Sequence, residues 1–236
     1  MSSAPANAFL RALEPQALAR LSSQLSVVEL ALGDPVGKDG DIVEFVYFPL
    51  SALLSMTRST LNGFAVETGV VGNEGAASVV AALGSGRHSS RLQTQIGGEA
   101  LRITASAFRQ AVSESSSIGQ AAWSAVEFQM WEAEQSCVCL AAHSAEARLA
   151  RWLLEAAERS GRLGRDLAIT HEFLGVMLGV QRPTVTRILG HLADREMIQT
   201  RRGIVAVTDT DRLARVSCEC RHEGVLERRR LGLEAF

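Results

Sequence analysis

The sequence predicts an α+β fold with a β-rich N-terminal domain, a long central helix and a mainly helical C-terminal domain. Up to about residue 108, short segments rich in Val, Ile, Phe and Thr alternate with Gly, Asn, Asp and Ser, as in antiparallel strands joined by turns. From Ser106 to Leu140 there is no proline and a single glycine, so this stretch is predicted to be helical. Helix caps then recur toward the end of the chain. We therefore divide the chain into a β-rich domain (residues 1–118), a central helix (119–143) and a C-terminal domain (144–236).

Composition indicates a globular protein. Hydrophobic residues make up 47% of the 236 and charged residues 21%, and no run approaches the roughly 18 apolar residues of a membrane span. The N-terminus lacks the pattern of a signal peptide, and four cysteines are too few for a disulfide framework. We expect a cytoplasmic protein with no membrane partner.

The N-terminal domain is predicted to open with short amphipathic helices, interrupted at Pro15, and then to form strands. The strand pattern occurs in five segments: IVEFVYFPL, SALLSMTRST, FAVETGVVG, RLQTQI and GEALRIT. Several short strands with regular turn signals predict an antiparallel barrel or sandwich.

The central helix carries an apolar seam with alternating spacings of three and four residues. Its members are Trp123, Val126, Met130, Ala133, Cys137 and Leu140. This is the pattern of two helices packed along their length, and we interpret the seam as a dimer interface. The alternative is a single helix that lies on its own domain.

The C-terminal domain shows a helix, a tight turn, a second helix and a hairpin. Ser144 is predicted to cap the first helix after the break at His143, and Thr170 to cap the next one. Gly179 makes the turn, and Gln181 caps the helix that follows. IQTRRGIVAV is predicted to be a two-stranded hairpin, and a last helix is expected over residues 211–231.

This arrangement is that of a winged helix-turn-helix, whose second helix enters the major groove of DNA. A stripe of Val185, Ile188, Leu189 and Leu192 would face the protein core, which leaves a polar face at the helix start. Amide, guanidinium and hydroxyl groups suit base edges and phosphates. The predicted DNA-binding residues are Thr170, Gln181, Arg182, Pro183, Thr184, Thr186, Arg187, Arg201 and Arg202. The alternative is an ordinary helical hairpin with a solvated arginine face.

Charge distribution agrees with double-stranded DNA as a partner. Residues 1–160 hold 11 basic and 16 acidic side chains, whereas residues 161–236 hold 13 basic and 10 acidic ones. A basic C-terminal third on an acidic remainder is typical of a local polyanion-binding module.

The stretch LAITHEFLGVMLGVQRPTVTRILGHLADREMIQTRRGIVAV resembles the C-terminal domain of the Crp/Fnr family of bacterial transcription regulators, and VYFPLSALLSM, VVGNEGAASVVAALGSG and GEALRI resemble its cyclic-nucleotide-binding β-roll. The resemblance implies a jelly-roll-like β-roll, a homodimer on a palindromic operator, RNA polymerase as a partner and a signal received in the β-roll. Many members carry a carboxylate at the position of Pro183. Proline cannot accept a hydrogen bond from cytosine, so the operator is expected to differ there.

In this family an Arg-Ser pair holds the cyclic phosphate and a Glu binds the ribose. Glu74 matches that Glu, but His88 stands at the Arg position and offers no bidentate fork. Glu134 adds a negative charge on the central helix, where members that bind cyclic AMP place hydroxyls. The candidate effector residues are Gly72, Glu74, His88, Ser89, Arg91 and Glu134. They argue against tight binding of cyclic AMP, and the alternative for His88 is a surface loop residue. No cofactor is assigned, and a small-molecule or nucleotide effector of unknown identity stays open.

The cysteines invite a metal or redox interpretation. Cys137 and Cys139 lie about 200° apart around a helix, so they do not converge on one ion. Cys218 and Cys220 have the same spacing and the same problem if they are helical. We therefore expect buried thiols and no metal. His143 is interpreted as a helix-end residue, and no catalytic motif suggests an enzyme.

The sequence therefore predicts a DNA-binding transcription regulator with an unidentified signal. Two alternatives remain: a cyclic-nucleotide-binding module that acts on a protein partner, and a regulator whose β-roll is a ligand-free scaffold.

Overall fold

The computed structural model describes residues 6–162 and 166–234. Its N-terminal half contains two antiparallel sheets, with strand orders β1-β7-β3 and β2-β6-β4-β5. The strands are β1 (Ser26–Leu30), β2 (Pro35–Gly37), β3 (Phe45–Pro49), β4 (Leu53–Ser59), β5 (Ala65–Val71), β6 (Arg91–Ile96) and β7 (Gly98–Thr104). Residues of both sheets share one apolar cluster, which includes Leu30, Leu54, Val71, Leu92 and Ala100. The predicted antiparallel β-roll is thus confirmed.

Four short helices flank the β-roll and close its end. They are α1 (Ala8–Arg11), α2 (Pro15–Ser22), α3 (Val79–Leu83) and α4 (Ala105–Glu114). Pro15 is the first residue of α2, a position where a missing N–H costs little. The rings of Phe9 in α1, Phe48 in β3 and Phe108 in α4 pack against one another in tilted and edge-to-face arrangements, with centroids 5.2 to 6.3 Å apart.

The central helix α5 (Ser116–Ala142) has 27 residues. The stretch from Ser106 is helical, as predicted, but it is divided into two helices, because Ser115 adopts an extended conformation and separates α4 from α5. The Ser115 side chain accepts a hydrogen bond from the backbone N–H of Ile118, which caps the new helix.

One face of α5 packs on its own chain, and another face is left uncovered. The buried face consists of Ile118, Ala121, Ala122, Ala125, Phe128, Glu132 and Cys139. In the seam, the side chains of Trp123 and Met130 are 65% and 60% exposed, and Cys137 and Leu140 are also exposed. Val126 and Ala133 are half-buried. The helix therefore lies on its own domain and still presents the seam outward.

The C-terminal domain contains five helices and a three-stranded sheet of order β8-β10-β9 within the described residues. Its elements are α6 (Ala145–Arg159), β8 (Asp166–Ala168), α7 (His171–Leu178), α8 (Arg182–Asp194), β9 (Ile198–Arg201), β10 (Ile204–Val207), α9 (Thr210–Val216) and α10 (Cys220–Arg230). Ser144 caps α6 and Thr170 caps α7, as predicted. The predicted single last helix is wrong, because the chain breaks between α9 and α10.

The C-terminal domain packs directly on the β-roll. Leu53, Val70 and Ile96 of the β-roll belong to the same apolar cluster as the buried residues of α6, α7 and α8. The sheet that contains β4, β5 and β6 therefore packs against the helices of the C-terminal domain. Within the described ranges, no helix has the length and apolar character needed to cross a membrane.

Candidate nucleic-acid interface

Helices α7 and α8 form a helix-turn-helix whose tight turn depends on two glycines. Gly179 has φ +61°, in the left-handed region that glycine adopts at low cost. A Cβ on Gly175 would lie 2.9 Å from the carbonyl oxygen of Val180, so the chain after the turn passes too close for any side chain there. The turn thus places the start of α8 beside the end of α7.

The inner face of α8 is the predicted stripe. Val185, Ile188, Leu189 and Leu192 are each at most 3% exposed and pack in the core of the C-terminal domain. Because these four positions fix the rotation of α8 about its axis, the residues at its start must face outward.

The polar start of α8 is exposed, as the sequence predicts. Gln181, Arg182, Pro183, Thr186 and Arg187 are exposed, whereas Thr184 is half-buried. Gln181 occupies the N-cap position, but its side chain makes no capping hydrogen bond, so its amide stays available for a ligand. The dipole of this helix start favours a nearby anion, although Pro183 has no N–H and the N–H of Thr184 donates to the carbonyl oxygen of Gln181 at 2.9 Å.

Two side chains near this surface have partners inside the protein. The Thr170 hydroxyl oxygen accepts a hydrogen bond from the backbone N–H of Phe173. The Thr186 hydroxyl lies 2.9 Å from Nδ1 of His171, a residue that the sequence analysis did not single out. The position of His171 at the start of α7, directly after the cap Thr170, was the feature of the sequence that could have indicated it. His171 therefore supports the side chain of Thr186 from the neighbouring helix.

The wing is the hairpin of β9 and β10, with Arg202 and Gly203 at its tip. Gly203 has φ +72°, which suits a two-residue hairpin turn. Arg201 and Arg202 are exposed, and neither forms an ion pair with another described residue. At the other end of α8, Arg195 lies 3.7 Å from the carboxylate of Glu146. Arg182 and Arg187 on α8 also form no ion pair with another described residue, so the start of α8 and the wing both present arginines that are available for a ligand.

The candidate effector residue Glu74 is bound by a side chain of its own protein. Nη2 of Arg159, the last residue of α6, lies 2.6 Å from Oε1 of Glu74. The backbone N–H of Gly72 donates to the same Oε1 at 2.9 Å. A Cβ on Gly72 would lie 2.4 Å from the carbonyl oxygen of Arg159, and the backbone N–H of Asn73 donates to that oxygen at 2.9 Å. The end of α6 therefore fills the space around the GNEG segment.

A second carboxylate completes the environment of Arg159. Nη1 of Arg159 lies 2.6 Å from Oε1 of Glu132, whose other oxygen accepts a hydrogen bond from the backbone N–H of Val70. Burial alone disfavours ionisation of Glu74, but Arg159 holds the pKa of Glu74 below its usual range. Burial raises the pKa of Glu132 despite the same partner. The two carboxylates outweigh the burial of Arg159 and raise its pKa. This buried cluster joins β5, α5 and α6.

The other candidate effector residues do not join this cluster. His88 packs over Gly37 in a groove that Asp41 and Tyr47 also line, and burial lowers its pKa. Ser89 and Arg91 are exposed, and so is Glu134. The residue of α5 that faces Glu74 is Glu132, because it lies on the buried face of the helix and Glu134 does not.

The structure gathers three cysteines and one histidine. Cys139 Sγ lies 3.6 Å from Cys218 Sγ, and Cys220 Sγ lies 3.6 Å from Nδ1 of His143. The four ligand atoms all lie within 4.8 Å of one another, whereas Cys137 is exposed elsewhere on α5. The expectation of no shared site assumed a helix through residues 218–220. That assumption fails, because Cys218 lies in the break before α10.

A family model described as a Crp-like helix-turn-helix domain matches residues 147–216 of this chain. The CRP-like cAMP-activated global transcriptional regulator of Mycobacterium tuberculosis is 23% identical over 212 residues, which cover 88% of this chain and 95% of that protein.

Solved structures share the fold at low identity. FixK2 from Bradyrhizobium japonicum has a TM-score of 0.66 and is 17% identical, with 82% of this chain and 98% of that chain covered. The CRP-family regulator TTHB099 from Thermus thermophilus has a TM-score of 0.66 at 17% identity, with 80% and 96% covered. The c-di-GMP-responsive global regulator CLP of Xanthomonas campestris has a TM-score of 0.63 at 17% identity, with 82% and 99% covered.

Proposed function

We propose that this member of the Crp/Fnr family of transcription regulators binds a palindromic operator as a homodimer and reads base edges with the start of α8. The observation that carries the proposal is the exposed polar start of α8, held outward by a fully buried stripe and flanked by the arginines of the wing. Its action is regulatory and not enzymatic. A regulator that binds chromosomal DNA works where that DNA lies, so we place the protein in the cytoplasm.

The residues at the start of α8 and on the wing have different roles in this proposal. Gln181, Arg182 and Arg187 present amide and guanidinium groups to the major groove, where they discriminate between bases. Arg201 and Arg202 neutralise phosphates, which adds affinity without sequence preference. Pro183 offers no acceptor, so this regulator does not select cytosine through a carboxylate at that position. Thr184 and Thr186 border the same surface, and Thr170 lies at the start of the helix beneath it.

The test begins with selection of bound fragments from random DNA, followed by gel-shift titration of variants on the selected operator. Arg182→Ala and Arg187→Ala should each weaken operator binding by about 1–3 kcal/mol and relax the preference at one base pair. Arg201→Ala or Arg202→Ala should weaken binding to all sequences alike and reduce the salt slope by about one.

Arg195→Ala is the matched control, because Arg195 follows the same helix at its far end. It should leave operator affinity unchanged. Unchanged operator binding by both the Arg182 and the Arg187 variants would show that α8 is not the recognition helix.

The homodimer rests on the seam of α5. Its apolar members point outward in one chain, and two copies related by a two-fold axis would cover them and place two winged helices on two half-sites. RNA polymerase is the partner through which such a regulator would act on transcription, and this contact remains part of the proposal.

The effector proposal rests on Arg159. The M. tuberculosis relative is described as cAMP-activated and the X. campestris regulator as c-di-GMP-responsive. In this chain the carboxylate of Glu74 already forms an ion pair with Arg159, and His88 lies in a separate groove. We therefore expect no tight binding of cyclic AMP, since a ribose would have to displace a buried ion pair.

Titration calorimetry of the full chain with cyclic AMP, cyclic GMP and c-di-GMP tests this expectation. Cyclic AMP should show no dissociation constant below roughly 10 μM, equivalent to about −7 kcal/mol. A tighter constant would mean that Arg159 leaves the pocket readily and that the β-roll senses a cyclic nucleotide.

A further inference from the structure

The end of the central helix and the break between α9 and α10 bring four metal-ligating side chains to one place. Cys139 and His143 come from α5 and its C-cap, and Cys218 and Cys220 come from the C-terminal domain. We propose that these four residues bind a single Zn²⁺ ion, which joins the central helix to the C-terminal helix pair.

Two of the six distances among the four ligand atoms match those around a tetrahedral ion, and all six are at most 4.8 Å. With Zn–S bonds of about 2.3 Å and Zn–N bonds of about 2.0 Å, tetrahedral geometry separates two sulfurs by about 3.8 Å and a sulfur from a nitrogen by about 3.5 Å. Both measured pairs, one of two sulfurs and one of sulfur and nitrogen, are separated by 3.6 Å. An Fe–S cluster would hold its ligands farther apart, because several irons and sulfides stand between them.

Local backbone structure explains why the ligands converge. Cys139 and His143 are four residues apart at the end of α5, so they lie on the same side of the helix. His143 is the C-cap and has an extended conformation (φ −112°, ψ 149°). Cys218 precedes α10 and Cys220 is its first residue, and a turn closed by the N–H of Arg221 donating to the carbonyl oxygen of Cys218 brings both thiols to the same side.

Neighbouring side chains orient and balance the ligands as in a metal site. Nε2 of His143 lies 3.0 Å from the carboxylate of Glu219, which leaves Nδ1 directed at the cluster. A carboxylate behind a ligating histidine fixes the ring and increases its basicity. The Gln135 amide donates to Cys220 Sγ at 3.1 Å. Arg151, which also pairs with Glu155 at 2.7 Å, lines one small cavity with Cys139, so a positive charge lies near the site, whose three thiolates, one neutral imidazole and Zn²⁺ would carry a net negative charge.

The burial of the cluster also favours an ion. Cys139, Cys218 and Cys220 are between 2% and 6% exposed and form their own cluster with Ala147 at its edge. Neutral thiols there would exchange only weak S–H hydrogen bonds. An ion would tie α5 to α10 across the break in the chain, and its binding energy would stabilise the folded protein.

The test measures metal content in the full-length protein purified without chelator. Elemental analysis should find about one equivalent of zinc per protomer, and Cys218→Ser or Cys220→Ser should remove it. Cys137→Ser is the matched control, because Cys137 lies on the same helix but is exposed and outside the cluster. It should keep full zinc content.

Two further measurements test the zinc site even if the cysteine variants fail to fold. Wild-type protein reconstituted with Co²⁺ should show the visible bands of tetrahedral coordination and thiolate charge transfer. Glu219→Gln keeps all four ligands, and it should lower zinc affinity by roughly 10–100-fold in competition with a chelator.

Three results would overturn the proposal. They are a metal-free protein that takes up neither Zn²⁺ nor Co²⁺ after reduction, bound iron with acid-labile sulfide, and a Cys139–Cys218 disulfide in protein purified under reducing conditions. None of these readouts involves DNA, so the zinc site and the proposed operator binding can fail independently.

Discussion

Arg159 is 2% exposed and pairs with two carboxylates. Glu74 lies in the loop between β5 and α3, and Glu132 lies on α5. Such a buried cluster costs desolvation free energy, and it tolerates the loss of one member poorly because the remaining charges are left without compensation. The position of α6 on the β-roll therefore depends on this guanidinium group in addition to the apolar cluster that the two domains share.

Arg159→Met should lower the free energy of unfolding by about 3–5 kcal/mol, since Glu74 and Glu132 would lose the guanidinium that is hydrogen-bonded to both, and the nearby buried Arg228 forms no ion pair with either carboxylate. Urea denaturation of the purified variants measures this. Arg58→Met is the control, because Arg58 and Asp39 form an ion pair that is more than half exposed and should cost at most about 1 kcal/mol. Adding Glu132→Gln to Arg159→Met should recover part of the loss. Equal losses for the two single arginine variants would contradict a critical role for the cluster.

Glu67 on β5 makes stability depend on pH. Burial raises its pKa to about 7, although the Ser55 hydroxyl and the Gln95 amide donate to its carboxylate. The native protein therefore binds this proton more tightly than the unfolded chain does. Stability from this group is full below pH 4.5 and is lost as pH rises through about 7.

Glu67→Gln should remove that loss, because glutamine accepts the same hydrogen bonds and does not titrate. Between pH 5 and pH 8 the free energy of unfolding of wild type should fall by roughly 1–3 kcal/mol more than that of the variant. Unfolding curves of both proteins at the two pH values measure this difference. A difference between the two proteins that does not change with pH would show that Glu67 titrates normally.

At the scale of the secondary-structure elements, Gly179 and Gly190 of the helix-turn-helix have opposite conformational demands. Gly179 has φ +61°, and a Cβ there would also lie 3.4 Å from Val66. Gly190 lies inside α8, where a Cβ would have no neighbour within 4 Å. The same substitution should therefore have opposite signs at the two positions.

Gly179→Ala should destabilise the protein by about 1–2 kcal/mol, because an L-residue in the left-handed region is strained. Gly190→Ala should stabilise it by about 0.5–1 kcal/mol, because alanine loses less entropy in a helix. Urea denaturation of both variants gives the two signs. Stabilisation by Gly179→Ala would mean that the turn differs from the one described.

For the whole molecule, the proposed dimer determines whether two recognition helices can reach two half-sites. Met130 is 60% exposed in the middle of the seam. In a two-fold dimer each seam residue lies near its own symmetry mate. A charge introduced at this position would therefore meet an identical buried charge.

Met130→Glu should dissociate the dimer and abolish operator binding together, since two like charges would be buried without partners. Light scattering gives the mass, and gel shift gives the binding. Ser22→Glu, at an exposed position of α2, is the control and should change neither. A Met130→Glu protein that is still dimeric and still binds its operator would place the interface elsewhere.

The sequence by itself determined the features that depend on neighbours along the chain. Ser144 and Thr170 cap their helices, Gly179 makes the turn, and the stripe that begins at Val185 rotates α8 so that its polar start faces outward. Caps, positive-φ turns and helical periodicity involve residues within about four positions of one another, so the local pattern is sufficient.

Only the tertiary structure decided which residues far apart in the sequence come into contact. Arg159 reaches Glu74 over 85 positions, and Cys139 reaches Cys218 over 79. Sequence reasoning chose Glu134 for the pocket where Glu132 lies, because the rotation of α5 is set by its packing on β5 and not by its own residues. It also extended the last helix through Cys218, and the break there is what directs Cys218 and Cys220 toward α5. These contacts depend on how the end of α6 and the start of α10 pack against distant elements, and no local pattern encodes that packing.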